Sequence, residues 1–308
     1  MKINSEHRYF LGDNYWAVIL GGSSGIGLAC VKKLARSGMN IALIHRDLKT
    51  VEKNLRHEMQ QLREETGVKI LQFNVNAILR EEITKVISEL QKELLTVERI
   101  RVMLHSISKG NLKPMIAPNL PVKQPSPNEL TDSSQDYPES ILTGELAPPG
   151  LHKQSEESQL SKEDFDLTIY AMSTSIMDWT NAFLKSGLFA KDARILGLTS
   201  EGSHKYWPGY GAVAAAKASL ESIARYMAVE YAPYGLRTNI IQAGTTDTPS
   251  MRKIPDSDRL KRLSEARNPF KKLTRPEDVA NVICLLCMNE AAWINGTLVH
   301  ADGGEHCS

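Results

Sequence analysis

The chain has 308 residues, 42% of them apolar and 24% charged, enough apolar matter for a large buried core and an ordinary charge content for a globular fold. Lys+Arg 37 against Asp+Glu 36 leaves a net charge of +1, which argues against a nucleic-acid protein held by phosphate contacts and against an acidic solvating chain. No run reaches the ~20 apolar residues that span a bilayer, the N-terminus lacks an apolar signal core, and four Cys make no disulfide framework, so a reduced, cytoplasmic protein is expected.

The first predicted strand is 16–20 (WAVIL), a short apolar run of the kind buried on both faces of a parallel sheet. It enters a glycine-rich turn, GGSSGIG at 21–27. A helix over 26–37 follows, with Ile26, Ala29, Cys30 and Leu34 at helical spacing and Gly38 as its stop. Next come a strand at 41–44, a charged helix at 48–66 ended by Gly67, a strand at 69–73, a helix at 80–95 and a strand at 101–105. This alternation predicts an α/β protein with a doubly wound parallel sheet and right-handed crossovers. From 113 to 161 the chain is rich in Pro, Ser, Glu and Gln and too long for an ordinary connection, so it reads as an insertion. Beyond it the pattern gives a long helix at 162–186, a strand at 195–199 and a long helix at 210–231. A strand at 237–242, a helix at 276–288 and a last strand at 297–300 complete it. About seven strands in one sheet make a single domain over 1–308, with the insertion inside it and an N-terminal extension before it.

Gly21, Gly25 and Gly27 form G-x-x-x-G-x-G at a strand-to-helix junction. Gly21 permits a tight exit from the strand, Gly25 lets backbone approach a pyrophosphate, and Gly27 lets helix and sheet pack closely. The helix N-terminus offers free N–H groups and partial positive charge to an anion. A tight turn with no ligand is the bland alternative. After the second strand, His45 stands where an acid would bind a ribose 2′-hydroxyl, and Arg46 follows. A guanidinium can pair with a 2′-phosphate in bidentate fashion, which favours NADPH over NADH. Arg46 as a solvated side chain is the competing reading.

GGSSGIG after the first strand, Tyr210 and Lys217 on one helix, AGTTDT after the sixth strand, RPEDVA and a final ADGG together resemble the short-chain dehydrogenase/reductase family. The resemblance covers nearly the whole chain apart from the N-terminal extension and the insertion, and it implies a Rossmann-type fold. Family members commonly place Tyr four residues before Lys, where this chain has Val213. Tyr210 stands seven before Lys217, the Tyr-x6-Lys spacing of the enoyl-acyl-carrier-protein reductase branch. MLHSIS at 103–108 and AKASLESIARYMAVE at 216–230 are similar to the same branch. The spacing has a chemical rationale. In ketone reduction the oxygen sits on the carbon that receives hydride; in an enoyl thioester the charge appears on an oxygen two carbons further away. Residues i and i+7 share a helix face about 10 Å apart, so an earlier Tyr displaces the oxyanion partner from the nicotinamide while Lys stays under the ribose.

By this resemblance Lys217 binds the nicotinamide ribose and Tyr210 hydrogen-bonds the thioester oxygen, stabilising an enolate. A snorkelling lysine and a packed aromatic are the structural alternatives. Gly244, Thr246 and Thr248 would hold the carboxamide and a phosphate, and Asn74 stands where the family has an Asp facing adenine. Ser23, Ser24, Ile26, Val75 and Ser106 complete the implied cofactor set. Ser200 lies thirteen residues before Val213, at the place of the family's catalytic Ser, and either donates to substrate or caps its strand. The family's helix Asn, part of a proton relay in ketone reducers, is replaced near Ser173. Tyr206 and Trp207 line an acyl pocket or an interface. Cys284 and Cys287 read as core thiols, the eight His show no metal-ligand spacing, and His105 reads as structural, so no metal is expected.

The resemblance thus implies NADPH-dependent reduction of a trans-2-enoyl thioester, carried on acyl carrier protein, in fatty-acid or polyketide-like synthesis. A carbonyl reductase using Ser200 with Tyr210 and a non-catalytic nucleotide-sensing protein are the alternatives. Ile176, Trp179 and Phe183 on one long helix, and Leu220, Ile223, Tyr226 and Met227 on the other, are expected to serve two faces. The second face would pair copies into a homotetramer, or failing that a dimer. Met115, Ile116, Leu120, Ile141, Leu142 and Leu146 make the insertion more apolar than a solvated tail. A lid over an acyl chain, a subunit contact and disorder are the three readings left open.

Overall fold

The computed structural model describes residues 8–116 and 159–308. Leu120, Ile141, Leu142 and Leu146, and with them most of the insertion, lie outside the described residues. Seven strands form one sheet in the order β3-β2-β1-β4-β5-β6-β7. They are β1 Tyr15–Leu20, β2 Asn40–His45, β3 Ile70–Asn74, β4 Arg99–His105, β5 Phe189–Ser200, β6 Leu236–Ala243 and β7 Leu298–Ala301. Every neighbouring pair is parallel.

Burial on both faces explains why the strands read as continuous apolar runs. Trp16, Ala17, Val18, Ile19 and Leu20 are all buried, with Ala17 and Ile19 packing one way and Trp16, Val18 and Leu20 the other. The first face is covered by α1 (Gly25–Arg36), α2 (Lys49–Thr66) and α8 (Pro276–Leu286). The second is covered by α3 (Arg80–Glu93), α5 (Ser175–Ser186) and α6 (Gly211–Glu230). The strand order reverses between β1 and β4, which places the ligand crevice outside their carboxyl ends. The N-terminal extension packs on this frame: Phe10 is buried and its N–H donates to Ser37 O at 2.9 Å.

Three departures from the expected elements have physical causes. The helix predicted over 162–186 is α4 (Lys162–Ile169), a π turn at Tyr170–Thr174, and then α5. Ala171, Met172 and Ser173 are buried in succession, and a straight α-helix does not place three consecutive residues on one face. β5 starts at Phe189, six residues before its apolar stretch, because Asp192 is neutralised there by Arg101, Arg194 and Arg237. α7 (Ser257–Arg267) has no counterpart among the predicted elements. Ser264 is its one buried residue, so it carries no apolar period to read.

The two long helices also divide their apolar residues differently from expectation. Ile176, Trp179 and Phe183 all pack on the sheet, as do Leu220 and Met227. Tyr226 and Val229 of α6 instead face outward, 68% and 74% exposed. Beside them runs the loop of Trp293 and Ile294, pinned by Asn295 Nδ2 donating to Ala228 O at 2.8 Å.

Candidate active site

A cleft of about 690 Å³ opens above the carboxyl ends of β1, β4, β5 and β6. Its floor begins at the glycine turn. Gly21 has φ +85° and a Cβ there would stand 2.6 Å from Ser106 O, so the exit from β1 is closed to other residues. Gly27 lies against the Gly21 carbonyl, where a Cβ would approach to 2.2 Å. The first turn of α1 has neither a side-chain cap on Ser24 nor an acidic residue. Ser24, Gly25 and Ile26 line the cleft, so the first-turn N–H groups are left without a side-chain partner beside it. This uncapped helix end fits the pyrophosphate of a dinucleotide.

From the opposite rim, Thr248 Cγ2 comes within 3.0 Å of the Cβ position of Gly25, joining the loop after β6 to the glycine turn. Gly244, Thr246 and Ser106 line the cleft between them. Thr246 Oγ1 donates to Gly244 O at 2.8 Å, and Thr248 Oγ1 accepts from Met251 N–H at 3.2 Å. Ser23, Gly27, Arg46, Asn74 and Val75 do not line this cleft. Arg46 is exposed just past the end of β2. Asn74, at the end of β3, is engaged: its Nδ2 donates to Asp47 O and to Glu52 Oε2, and its Oδ1 accepts from Asp47 N–H. It staples the β2–α2 connection, and Val75 N–H bonds His45 O at 2.8 Å beside it. His45 Nδ1 lies 2.8 Å from Asp47 Oδ2, and Glu52 is paired with Arg56.

Tyr210 is the N-cap residue of α6 and Lys217 is buried two turns into it. Both line the cleft. Tyr210 Oη lies 3.3 Å from Ser200 Oγ at the end of β5. Burial pushes the phenol above the ordinary tyrosine value, and the Ser200 contact offsets part of that. Lys217 Nζ donates to Leu198 O at 2.8 Å, which fixes the ammonium under the cleft. Burial pulls its pKa down to about 8 against the opposing charge of Glu221. His105, at the end of β4, is buried behind this pair with Nε2 2.8 Å from Ser175 Oγ. Burial, with the Lys217 charge added, pushes His105 down to about 3. Ser173, on the π turn, donates to Ser219 Oγ at 3.0 Å.

The apolar end of the cleft is lined by Leu112, Met172, Tyr206, Trp207, Met251 and Ile254. Trp207 is held in place by Nε1 donating to Pro255 O at 2.9 Å. The cleft also has a polar wall that sequence reasoning missed. Arg267 bridges Glu201 and Glu305, and Glu305 accepts Thr245 N–H at 3.0 Å. Its members stand 66 and 38 residues apart, so no local spacing signals the wall. The same end of the chain brings His300, Asp302 and His306 together, a grouping that the ADGG motif hid. Cys284, on α8, and Cys287, at its C-cap, are buried in the core, and burial raises both thiols. No helix among the described residues is long and apolar enough to cross a membrane.

Comparison with known proteins places these features in context. The profile of a family described as enoyl-(acyl carrier protein) reductase matches residues 146–306, just over half of the chain, and that of short chain dehydrogenase matches residues 15–115. The enoyl-(acyl-carrier-protein) reductase (NADH) of Escherichia coli is 38% identical over 110 residues, 36% of this chain. The match spans 42% of that relative's own length. The crystal structure of an enoyl-(acyl-carrier-protein) reductase (NADH) from Aquifex aeolicus superposes with TM-score 0.71 at 23% identity, covering 97% of this chain and 98% of that one. The Bacillus cereus enoyl-acyl carrier protein reductase with NADP+ and indole naphthyridinone gives 0.73 at 20% identity, covering 98% and 99%. At these identities the two structures establish the shared fold.

Proposed function

Since the chain belongs to the enoyl-(acyl carrier protein) reductase family of the short-chain dehydrogenases, we propose that it is an NADPH-dependent oxidoreductase that saturates a trans-2-enoyl thioester carried on acyl carrier protein. Fatty-acid or polyketide-like synthesis is the setting. The observation that carries this reading is the seven-residue separation of Tyr210 and Lys217 on α6, with both lining the cleft that also receives the glycine turn. The nicotinamide, when bound, supplies the hydride. The uncapped start of α1 receives the pyrophosphate. Lys217, tied to Leu198 O, holds positive charge beneath the reacting groups. Tyr210 Oη donates a hydrogen bond to the thioester oxygen as negative charge develops on it. Leu112, Met172 and Met251 give the acyl chain an apolar wall that excludes water.

A second reading rests on one contact. Ser200 Oγ stands 3.3 Å from Tyr210 Oη, an arrangement that also suits proton donation to a ketone oxygen. Incubating the purified chain with NADPH and crotonyl or longer enoyl thioesters, beside a panel of ketones, separates the two. Turnover of ketones alone overturns the enoyl assignment, and turnover of neither favours a nucleotide-sensing protein.

The choice of NADPH rests on Arg46. It is exposed past β2, and a guanidinium there can pair with a 2′-phosphate in bidentate fashion. Arg46→Ala should raise the KM for NADPH about tenfold and leave that for NADH nearly unchanged. An equal change for both cofactors would show that the arginine supports the loop instead.

The outward Tyr226 and Val229, with Trp293 at 96% exposure, support self-association through α6. A homotetramer is expected by light scattering at micromolar concentration, with a dimer as the smaller closed form, and a monomer would refute it. The free Cys30, Cys284, Cys287 and Cys307 suit a reducing, cytoplasmic setting.

A further inference from the structure

His300, Asp302 and His306 take no part in the chemistry above, although Asp302 and His306 border the cleft. The ligand atoms of the three side chains lie within 4.8 Å of one another. Asp302 is 3% exposed, and both of its oxygens are held by backbone. Oδ1 accepts from Gly304 N–H and Oδ2 from His306 N–H, each at 3.0 Å. Oδ2 also lies 2.7 Å from His306 Nδ1. A carboxylate at that position keeps the proton on Nδ1 and leaves the Nε2 lone pair free. Nε2 in turn stands 3.2 Å from the sulfur of the exposed Cys307.

This is the order of groups found around histidine-bound metals: a fixed carboxylate, then imidazole, with the distal nitrogen aimed at the ion. An ion ~2.1 Å from nitrogen and ~2.3 Å from sulfur with tetrahedral angles needs the two atoms roughly 0.3–0.4 Å further apart than they stand. That is a small adjustment for an exposed cysteine. The His300 ring stacks on His306 with centroids 3.7 Å apart and planes 15° from parallel. Parallel rings do not aim lone pairs at one point, so His300 must turn about its Cβ–Cγ bond to join. Its side chain is 31% exposed on the outer strand β7, which leaves room for that rotation.

We propose that His306, Cys307 and His300 form a binding site for a zinc-class divalent cation, with Asp302 as the carboxylate that orients His306. Water or a ligand entering from the cleft takes the fourth position. The site reaches the cleft wall through the short turn Glu305–Cys307, because Glu305 in that turn also holds Arg267 and Thr245. Occupancy therefore braces this polar wall of the cleft.

Titration of the metal-free full chain with Co2+, a spectroscopic stand-in for Zn2+, tests the site without any turnover. One equivalent should produce visible d–d bands of a tetrahedral ion and a near-ultraviolet thiolate charge-transfer band, both removed by Zn2+. Cys307→Ser should abolish the charge-transfer band, and His306→Gln should weaken binding at least tenfold. Asp302→Asn should keep the bands and weaken binding about 10-fold. Absence of d–d bands overturns the proposal. So does a charge-transfer band that survives in Cys307→Ser, since it would then arise from other thiols.

Discussion

Tyr210→Phe is expected to lower kcat for a trans-2-enoyl thioester about 100-fold while leaving the KM for NADPH nearly unchanged. The substitution removes one oxygen and keeps the ring. That ring packs against Gly202, where a Cβ would meet Tyr210 Cε1 at 2.4 Å, so the aromatic body is positioned independently of its hydroxyl. The hydroxyl sits in the cleft with Ser200 Oγ 3.3 Å away as its protein neighbour. In the proposed mechanism its hydrogen bond to the thioester oxygen would strengthen only as negative charge accumulates there, so its loss should fall on the transition state and not on cofactor binding. Single-turnover measurement with saturating NADPH isolates the step. Near wild-type turnover in the folded variant would remove Tyr210 from the mechanism and shift attention to Ser200.

His105 should make the protein selectively sensitive to acid. Burial holds its pKa at about 3 in the folded chain, against 6.5 for an ordinary histidine. Between those values the unfolded chain binds a proton that the folded chain refuses, so stability is fully present above pH 6.5 and is lost as pH falls toward 3. The loss amounts to roughly 3 kcal/mol by pH 4, from about 1.4 kcal/mol for each pH unit in that window. Other carboxylates and histidines contribute to acid unfolding as well, so the measurement is a difference. His105→Gln places an amide nitrogen near the Nε2 position that meets Ser175 Oγ, and it cannot titrate. Denaturant unfolding of both proteins at one concentration, from pH 7 to pH 4, should show the wild type losing stability faster by that amount. Parallel pH dependences would mean that His105 is solvated in the folded state. The same substitution removes a latent positive charge beside Lys217, which His105 affects only when protonated.

Much of the fold was legible because its signals are local. WAVIL, NIALIH and RVMLH are apolar on both sides because helices cover both faces of a parallel sheet, so each strand declares itself within six or seven residues. The glycine turn is equally local: Gly21 and Gly27 are required by backbone contacts made within the turn and with the neighbouring strand end. The Tyr210 and Lys217 pair could be read as one unit because both belong to a single helix. What escaped local reading was decided by partners distant in the chain. The polar start of β5 becomes a strand because Asp192 is surrounded by arginines from β4, β5 and β6. The π turn exists because Ala171, Met172 and Ser173 must all be buried between the cleft and α6.

By itself, then, the sequence determined the parallel sheet, the dinucleotide turn and the placing of a phenol and an ammonium on one helix. Each of these depends on a periodicity or spacing shorter than one βα unit. Only the tertiary structure decided the use of side chains whose partners arrive from elsewhere in the chain. Asn74 proved to be bound to Asp47 and Glu52. Arg267 joined Glu201 to Glu305 across the cleft wall. His300, Asp302 and His306 converged where the last strand turns back toward the site. The physical reason is range. Helical and strand periods are written by residues within a few positions of one another, whereas hydrogen bonds and ion pairs act over a few ångströms regardless of sequence separation. A charged side chain therefore acquires its partner, and with it its role, only after the sheet has closed.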